Sequence, residues 1–524
     1  YDDWCIVCPT GSPGSPPECW SAWSGRSTVF SYERRPMASH GSSGSGGSAT
    51  SETSDSVRGR IYRGGRQLVI RQGAGSVLRL VAVLVVTRLV GPSEYGYYAA
   101  AASVLGVLST LATFGVDVDL VRVPDVDSRD EHVAFTVITG AALVVGVTAA
   151  VLAPLYGRWI DDGAAVAPLR VAMFLIPLAV APVPARARLE RNLDFGVLAV
   201  VEVAADLIVV LVSVPLALAG AGVWAPVAGL GARLLWLCGA LPIAARYRPA
   251  LCWDPDRIRN LARFGGRYTV GRWMSISSTL INPLLIGRLA GPVGVAHVAV
   301  ASRIIEQVGA VKQVAVRLAT PALARVKNDR GRLAAAHAEG SLIQVLGAVP
   351  AYAGVAFLAP WLLPALLGPE WSPAVPIVAL LAVAASVGAV FNLHAPLLHV
   401  LDRPGSVALV RFLQLLALVA ATVSLVPIYG TVGYGAARIV RCLPFGVMHR
   451  QVRTVFVPRY RPMLRWLIGL VPPMFSSWLA APIRAILLVP LVAVLALPES
   501  RAELASVIRR VAPRIQLRRR GPTA

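Results

Sequence analysis

Residues 88–96 read RLVGPSEYG and residues 288–296 read RLAGPVGVA, each directly after a run of apolar residues. A Gly-Pro pair at the end of such a run predicts a tight turn into the next helix. We call this repeated motif the echo. Turns of this kind are common after spanning helices, so the echo alone does not establish a duplication. Aligning residue n with residue n+200 pairs Arg88 with Arg288, Leu89 with Leu289, Gly91 with Gly291, Pro92 with Pro292, Ala99 with Ala299 and Ala101 with Ala301.

The composition of the whole chain is typical of an integral membrane protein. Of 524 residues, 56% are hydrophobic and 15% are charged, and the mean hydropathy is +0.63. A soluble domain of this length cannot hide so much apolar surface in a core. The formal net charge is +22, yet no soluble basic module that could hold nucleic acid is visible. We therefore expect the lipid bilayer as a partner, and no nucleic acid.

The first 63 residues differ from the rest of the chain. They are polar and rich in Gly, Ser and Pro, so they cannot bury enough apolar surface to fold. We predict a disordered leader over residues 1–63. Met37 offers an alternative start, in which case residues 1–36 are not translated. No apolar stretch precedes Leu68, so the first spanning helix is expected to direct membrane insertion.

Apolar segments long enough to cross a bilayer recur along the remaining chain. A spanning helix needs about 20 mostly apolar residues, and fourteen candidates can be placed. The last two are short and interrupted by prolines, so twelve helices plus one re-entrant hairpin is an alternative. The predicted spans are α1 70–90, α2 95–115, α3 133–155, α4 166–183, α5 195–219, α6 223–243, α7 268–290, α8 294–318, α9 340–366, α10 374–398, α11 406–427, α12 430–448, α13 464–481 and α14 484–498.

Arginine placement predicts the orientation of these spans. Positive charge accumulates in short cytoplasmic loops, and every second loop of this chain is basic. The opposite loops, such as GPSE, AGAG, GPEW and IYGT, are nearly free of positive charge. Both termini are therefore predicted to be cytoplasmic. One inner loop, VDVDLVRVPDVDSRDEH, is acidic, but the rule largely ignores Asp and Glu.

The echo and the span count together predict two six-helix repeats. Helices α1–α6 and α7–α12 match in number, in loop length and in the position of their basic loops. Six is an even number, so both copies insert with the same orientation, as in alternating-access transporters with the site between the halves. The predicted divisions are an N-lobe 64–245, a C-lobe 246–450, additional helices 451–498 and a basic cytoplasmic tail 499–524.

Residues 71–122 resemble the opening of the polysaccharide biosynthesis (Wzx-type) oligosaccharide flippases of the multidrug/oligosaccharidyl-lipid/polysaccharide exporter superfamily. The matching features are an arginine in the first helix, the R-L-x-G-P-x-E-Y-G turn at 88–96, an Ala-rich second helix and Phe114-Gly115 at its end. The segment PLVAVLALPESRAELASVIRR near the C-terminus is similar to this family as well. The second copy keeps the Gly-Pro pair of the turn, but its residues 293–296 read VGVA where the first copy has SEYG.

This resemblance implies an all-α membrane protein whose two lobes form a V-shaped central cavity. It implies transport of undecaprenyl-pyrophosphate-linked oligosaccharide from the inner to the outer leaflet of the bacterial plasma membrane, for cell-surface polysaccharide biosynthesis. The lipid tail would stay in the bilayer while the head group crosses the cavity. Polysaccharide polymerase and glycosyltransferases are candidate protein partners. No cofactor is expected.

Charges inside predicted helices mark candidate site residues, because each central charge costs about 2.5–3.5 kcal/mol on insertion scales. We predict that Arg79, Arg272, Arg303 and Arg411 bind the pyrophosphate, since guanidinium groups match phosphate oxygens. An alternative is that some of the arginines extend from helix ends to an interface. This alternative applies to Arg272, Arg411, Arg438 and Arg441.

Three carboxyl groups in the spans are candidates for coupling transport to a proton or cation: Glu202, Asp206 and Glu306. The first two share one face of α5, and neighbouring carboxylates raise each other's pKa. Neutralisation by Arg233 or Arg303 is the structural alternative. Pro283 is predicted to kink α7 and to serve as a gate hinge; an ordinary packing kink is the alternative.

Several other functions are weighed against a flippase. A lipid II flippase shares the pyrophosphate, and a drug/cation antiporter shares the architecture but favours an acidic cavity. A membrane glycan polymerase or ligase needs a large external catalytic loop, which this chain lacks. No P-loop, nucleophile motif or metal-ligand cluster is present, so neither an enzyme nor a metal site is predicted. His297 and His394 are interpreted as isolated residues that pack or line a pore.

Overall fold

The structure is a computed structural model that describes residues 84–122, 126–259, 261, 263 and 276–511. The predicted leader, most of α1 and the end of the basic tail lie outside the described residues. The described part is helical and contains no strand, which confirms the all-α fold class. Eight of its helices are long and apolar enough to cross a membrane, or up to ten if each of two bent pairs is one span.

Six predicted spans each form a single long helix. They are α2 Pro92–Ala112, α3 Ser128–Trp159, α5 Phe195–Leu218, α6 Trp224–Ala244, α9 Arg330–Leu367 and α11 Pro404–Tyr429. Helix α9 begins ten residues before the predicted span, because the Asp329 side chain accepts a hydrogen bond from the Arg332 amide and caps the helix. A segment predicted as an inner loop is therefore the first turns of a helix.

The other spans are broken, mostly next to prolines. The pieces are α4 Val166–Phe174, Ile176–Val180 and Val183–Arg191; α8 Gly287–Val308 and Ala310–Arg325; α10 Ala374–Phe391 and His394–Val400; α12 Thr431–Val440 and Phe445–Arg453; α13 Arg461–Leu470 and Pro472–Trp478; and α14 Ala481–Leu488 and Val489–Ala496. The prediction of one continuous α12 is wrong: four residues of turn, ending in Pro444, interrupt it. A further helix, α15 Pro498–Val511, forms where the sequence predicted only a tail.

The two copies of the echo have the same backbone geometry. Gly91 has φ 80° and ψ 167°, and Gly291 has φ 67° and ψ −173°. This extended region at positive φ is essentially restricted to glycine, and in both copies a proline follows. The shared conformation gives each glycine a physical role and agrees with an internal duplication.

The two copies also contact each other. A Cβ built on Gly96 would stand 1.9 Å from the Pro292 carbonyl oxygen, so α2 and α8 approach as closely as a bare backbone allows. Tyr95 lies edge-on to Trp371, with ring centroids 5.9 Å apart. We call the contact between residues 91–96 and 291–296 the seam, and the end of the molecule that carries it the outer end.

Further hydrogen bonds join the described spans before residue 246 to those after residue 275 at the outer end. Arg88 donates to the carbonyl oxygens of residues 365 and 366, and Arg288 pairs with Asp161 at 2.5 Å. The Tyr156 hydroxyl donates to the Pro283 carbonyl oxygen at 3.0 Å. Trp159 donates to the next carbonyl oxygen at 2.8 Å. Among the described residues, every hydrogen bond between these two sets of spans lies at this end.

The acidic loop before α3 meets arginines from other predicted inner loops. Glu131 is buried, and its carboxylate lies 3.0 Å from Arg188 Nη2 and 2.8 Å from Arg191 Nη2. Asp130 pairs with Arg257, which follows α6. Three loops assigned to one side of the membrane therefore meet at one end, which we call the inner end. The acidic residues are the counter-charges of basic loops.

Glu131→Gln is expected to lower the free energy of unfolding by about 3 kcal/mol, because breaking one side of a buried ion pair leaves charge without compensation. The measurement is the thermal midpoint of the purified protein in detergent. Glu190→Gln is the matched control: its pair with Arg186 is solvent-exposed, and such pairs contribute under about 1 kcal/mol. Equal midpoints for the two variants would show that Glu131 has no special structural role.

Candidate functional site

Two of the four arginines predicted to bind pyrophosphate belong to the described part of the chain. Arg79 and Arg272 lie outside it. Arg303, on α8, is exposed and acts electrostatically on the Tyr95 and Tyr98 rings of α2. Its guanidinium therefore faces the neighbouring set of spans.

Tyr98 lies between two arginines. Arg233 of α6 also acts on its ring, so a cation from each predicted lobe approaches the same residue. Arg303 follows Gly291 by twelve residues, which places it about 18 Å along the helix from the outer end. In a hydrocarbon layer about 30 Å thick, this level is close to the middle of the bilayer.

The second described arginine, Arg411, belongs to a larger group of cations. Arg438 and Arg441 of α12 act electrostatically on Lys312 of α8, and Arg411 and Arg438 act on Arg441. We call Lys312, Arg411, Arg438 and Arg441 the cation quartet. Three helices, α8, α11 and α12, supply it.

The quartet has few protein partners. Lys312 Nζ lies 5.2 Å from the centroid of the Tyr352 ring, and Arg411 Nη1 donates to Gln414 Oε1 at 3.3 Å. All four side chains are half-buried, and none forms an ion pair within the part of the chain that the structure describes. Like charges at close range repel strongly where water is scarce. An anion placed among the four side chains would offset this repulsion.

The three predicted coupling carboxylates have different surroundings. Glu202 lies 2.7 Å from Arg186 Nη2, and the buried Asp206 lies 3.4 Å from Arg233 Nε. Glu306 is exposed and forms no ion pair among the described residues. The contacts of Glu202 and Asp206 match the neutralised arrangement. Coupling by Glu306 stays a prediction that no contact supports or contradicts.

Pro283 lies in an irregular part of α7. A segment of π-helix covers Asn282–Ile286, and the Pro283 carbonyl oxygen accepts the hydrogen bond from Tyr156. Single π-turns are frequent at functional sites. Irregular backbone and a contact with α3 occur together here, whereas the hinge role of Pro283 stays a prediction.

Sequence reasoning missed part of this site. The sequence analysis does not select Lys312, and it treats Arg233 only as a neutralising partner. It treats Arg438 and Arg441 as arginines that extend to an interface, although their spacing of three places them on one helix face. The interpretation of His394 as isolated is wrong, because it is hydrogen-bonded to another histidine and to a tyrosine. Within the described residues, no group of three potential ligands is placed to hold a metal ion.

A comparison with protein families matches residues 85–376 to the family described as polysaccharide biosynthesis protein. This match covers more than half of the chain. The chain belongs to the polysaccharide biosynthesis protein family. The membership predicted from the Gly-Pro turn and the Ala-rich helix is confirmed.

Curated relatives of this family member are known from two bacteria. The succinoglycan biosynthesis transport protein ExoT of Rhizobium meliloti (strain 1021) is 26% identical over 361 residues, which cover 68% of this chain and 71% of the relative. The lipopolysaccharide biosynthesis protein WzxC of Escherichia coli (strain K12) is 23% identical over 333 residues, covering 60% and 65%. The prediction of a transporter for polysaccharide biosynthesis, and not an enzyme, is confirmed by these matches.

Solved structures share the fold of this family member. The lipid II flippase MurJ in an inward closed conformation aligns with a TM-score of 0.65 and 12% identity, over 85% of this chain and 99% of MurJ. A MATE family transporter of the MOP superfamily in an inward-facing conformation aligns with a TM-score of 0.58 and 14% identity, over 74% and 98%. At such identities the likeness concerns the fold alone.

Proposed function

We propose that this protein moves an undecaprenyl-pyrophosphate-linked oligosaccharide from the inner to the outer leaflet of a bacterial plasma membrane for cell-surface polysaccharide biosynthesis. Both termini lie in the cytoplasm in this proposal. The site is proposed to lie where the C-lobe, which supplies the cation quartet, faces the N-lobe. Glycosyltransferases and a polymerase act before and after transport. Family membership and the relatives' roles in succinoglycan and lipopolysaccharide biosynthesis support the substrate class.

The single observation that carries the proposal is the cation quartet. Within the part of the chain that the structure describes, these four half-buried positive side chains form no ion pair with a carboxylate, and a charge inside a membrane is costly unless it has a partner. Guanidinium groups bind phosphate oxygens in a bidentate manner. A pyrophosphate supplies the negative charge that the quartet lacks. Arg303, and also Arg79 and Arg272, are proposed to contact the same head group during transport.

The charge of the site separates this proposal from a drug/cation antiporter. Cationic drugs need acidic partners, and two of the three carboxyl groups singled out in the spans contact arginines. The fold itself does not decide, because both MurJ and MATE proteins share it. Lipid II remains the second candidate substrate, since it carries the same pyrophosphate.

A reconstituted flipping assay tests the proposal. Full-length protein in proteoliposomes is given undecaprenyl-pyrophosphate-linked oligosaccharide, lipid II or a cationic drug, and transfer is followed by protection of each substrate from an external enzyme or quencher. We expect protein-dependent transfer of the oligosaccharide carrier and none of the drug. Faster transfer of lipid II would favour the second candidate, and transport of the drug alone would overturn the proposal.

A further inference from the structure

Three histidines and one tyrosine form a continuous hydrogen-bonded chain at the inner end of α9, α10 and α12. His337 Nε2 lies 3.4 Å from His394 Nδ1, and His394 Nε2 lies 2.7 Å from the Tyr460 hydroxyl. The same hydroxyl lies 3.0 Å from His449 Nδ1. We call these four residues the histidine chain. It joins three broken or extended spans to the segment that leads into α13.

Burial differs along the histidine chain. His337 and His394 are fully buried, whereas His449 is half-buried. Phe391 lies beside both His394 and Tyr460, with ring centroids 5.1 Å and 5.7 Å apart. One end of the chain is therefore accessible from the inner end, and the other is enclosed by aromatic and aliphatic side chains.

The bonding pattern can be satisfied in two opposite ways. In one, His337 donates to His394, His394 donates to Tyr460, and Tyr460 donates to His449; in the other, every donor and acceptor is exchanged. A neutral imidazole has one donor and one acceptor nitrogen, and a hydroxyl serves as both. A proton added at His449 Nε2 is compatible with the second arrangement, and no bond is lost. The chain can therefore accept one proton and share it among three rings.

Few charges act on the histidine chain. Among the described side chains, Arg453 acts on His449, and the histidines act on one another; no carboxylate acts on any of the three rings. Arg453 therefore disfavours a proton on the His449 ring. The other charged residues on elements packed nearby are Arg325, Lys327, Asp329, Arg330, Arg332, Glu339, Asp402, Arg403, Arg411, Arg450, Arg459 and Arg461.

The break in α12 connects the histidine chain to the cation quartet. Arg441 directly follows the first piece of α12, and Phe445 begins the second piece. Phe445 stacks on Phe391 at 4.9 Å and 9°, and Phe391 contacts the chain. The stacked rings connect the end of the α12 piece that carries Arg441 to the histidine chain. We expect the positive charge of the quartet to disfavour a proton on the chain at longer range, and a bound anion to remove that effect.

We infer that His337, His394, Tyr460 and His449 form a proton-binding site whose occupancy is linked to anion binding at the cation quartet. The link, but not the proton site, rests on the proposed function. Because linkage is reciprocal, a bound diphosphate increases the affinity for the proton, and the proton increases the affinity for the diphosphate. Substrate binding from the cytoplasm would take up a proton without any intramembrane carboxylate.

The proton site is tested without ligand. In the full-length protein in nanodiscs of uncharged lipid, the exchange rate of each imidazole Cε1 hydrogen reports protonation ring by ring and is read by mass spectrometry. Because one proton is shared, we expect a common titration midpoint for His337, His394 and His449. Tyr460→Phe should separate the midpoint of His449 from the other two, and His399→Gln, at a nearby exposed ring, should leave all three unchanged. Three unrelated midpoints that Tyr460→Phe does not move would overturn the site.

Should Tyr460→Phe fail to fold, His449→Gln at the half-buried end replaces it. We expect this variant to shift the titration midpoints of His337 and His394, because the accessible ring through which the proton enters the histidine chain is lost. Unchanged midpoints would again overturn the proton site. The comparison needs no substrate, so its result is independent of the transport proposal.

The link is tested with Arg441→Gln and with farnesyl diphosphate. Removing one quartet charge, or saturating the quartet with the diphosphate, should raise the common proton affinity roughly fivefold. An unchanged midpoint in Arg441→Gln would overturn the link. If farnesyl diphosphate does not bind, the proposed function is contradicted, while the Tyr460→Phe comparison still decides the proton site.

Discussion

Replacing Arg438 and Arg441 together by Gln is expected to abolish measurable transport while leaving the protein at least as stable as the wild type. Each hydrogen bond to a charged partner contributes about 1.5–3 kcal/mol, so two lost arginines weaken diphosphate binding by about 3–6 kcal/mol, a factor of roughly a hundred or more. The same change relieves repulsion among the four cations of the quartet. Function and stability are therefore expected to move in opposite directions.

The measurements are the Kd of farnesyl diphosphate and the thermal midpoint of the purified protein. Arg403→Gln is the matched control: this exposed arginine donates to Thr454 near the inner end and is outside the quartet. It should leave Kd within about twofold, since exposed contacts contribute little. A double variant that binds normally would contradict the quartet as the anion site. A large drop in thermal midpoint would show that the two arginines are structural.

Sequence alone could predict the features that depend on local signals. A run of about 20 apolar residues is sufficient to indicate a spanning helix, and α2, α3, α5, α6 and α11 form close to their predicted bounds. The Gly-Pro echo was also readable, because Gly91 and Gly291 adopt a conformation that other residues avoid. Both signals act over a few residues and need no knowledge of packing.

The site was only partly predictable, because it depends on which helices meet. Arg411 could be selected as a charge in an apolar run, but its association with Lys312 and Arg441 follows from the packing of α8, α11 and α12. In the histidine chain, directly hydrogen-bonded residues lie up to 66 positions apart in the sequence. A single sequence contains no signal for such pairs. Asp329 is a residue type that caps helices and could be recognised in the sequence. A search for apolar runs nevertheless ignores the polar first turns of α9, so the start of this helix was missed.

Gly96→Ala is expected to open the seam, because its added methyl group has no room against the opposite backbone. The new Cβ would stand 1.9 Å from the Pro292 carbonyl oxygen, and a backbone group cannot rotate away. Overpacking of this kind costs about 1–3 kcal/mol, which the protein can avoid by separating α2 from α8. Because the described hydrogen bonds between the two sets of spans lie at the same end, their separation favours the outward-open state.

The distance between spin labels at Ser93 and Val293, two exposed positions on opposite sides of the seam, measures this opening in a variant whose native cysteines are replaced. Gly96→Ala should lengthen the distance, and transport should slow because closure of the outer end becomes less favourable. Gly106→Ala on the same helix is the control: no atom lies within 4 Å of its new Cβ, and alanine stabilises a helix interior by about 1 kcal/mol. An unchanged distance in Gly96→Ala, with both variants equally active, would mean that the bare backbone contact of the two echoes is not the outer gate. A longer distance in Gly96→Ala alone would make these two glycine-proline turns, which define the duplication in the sequence, the moving contact of the transport cycle.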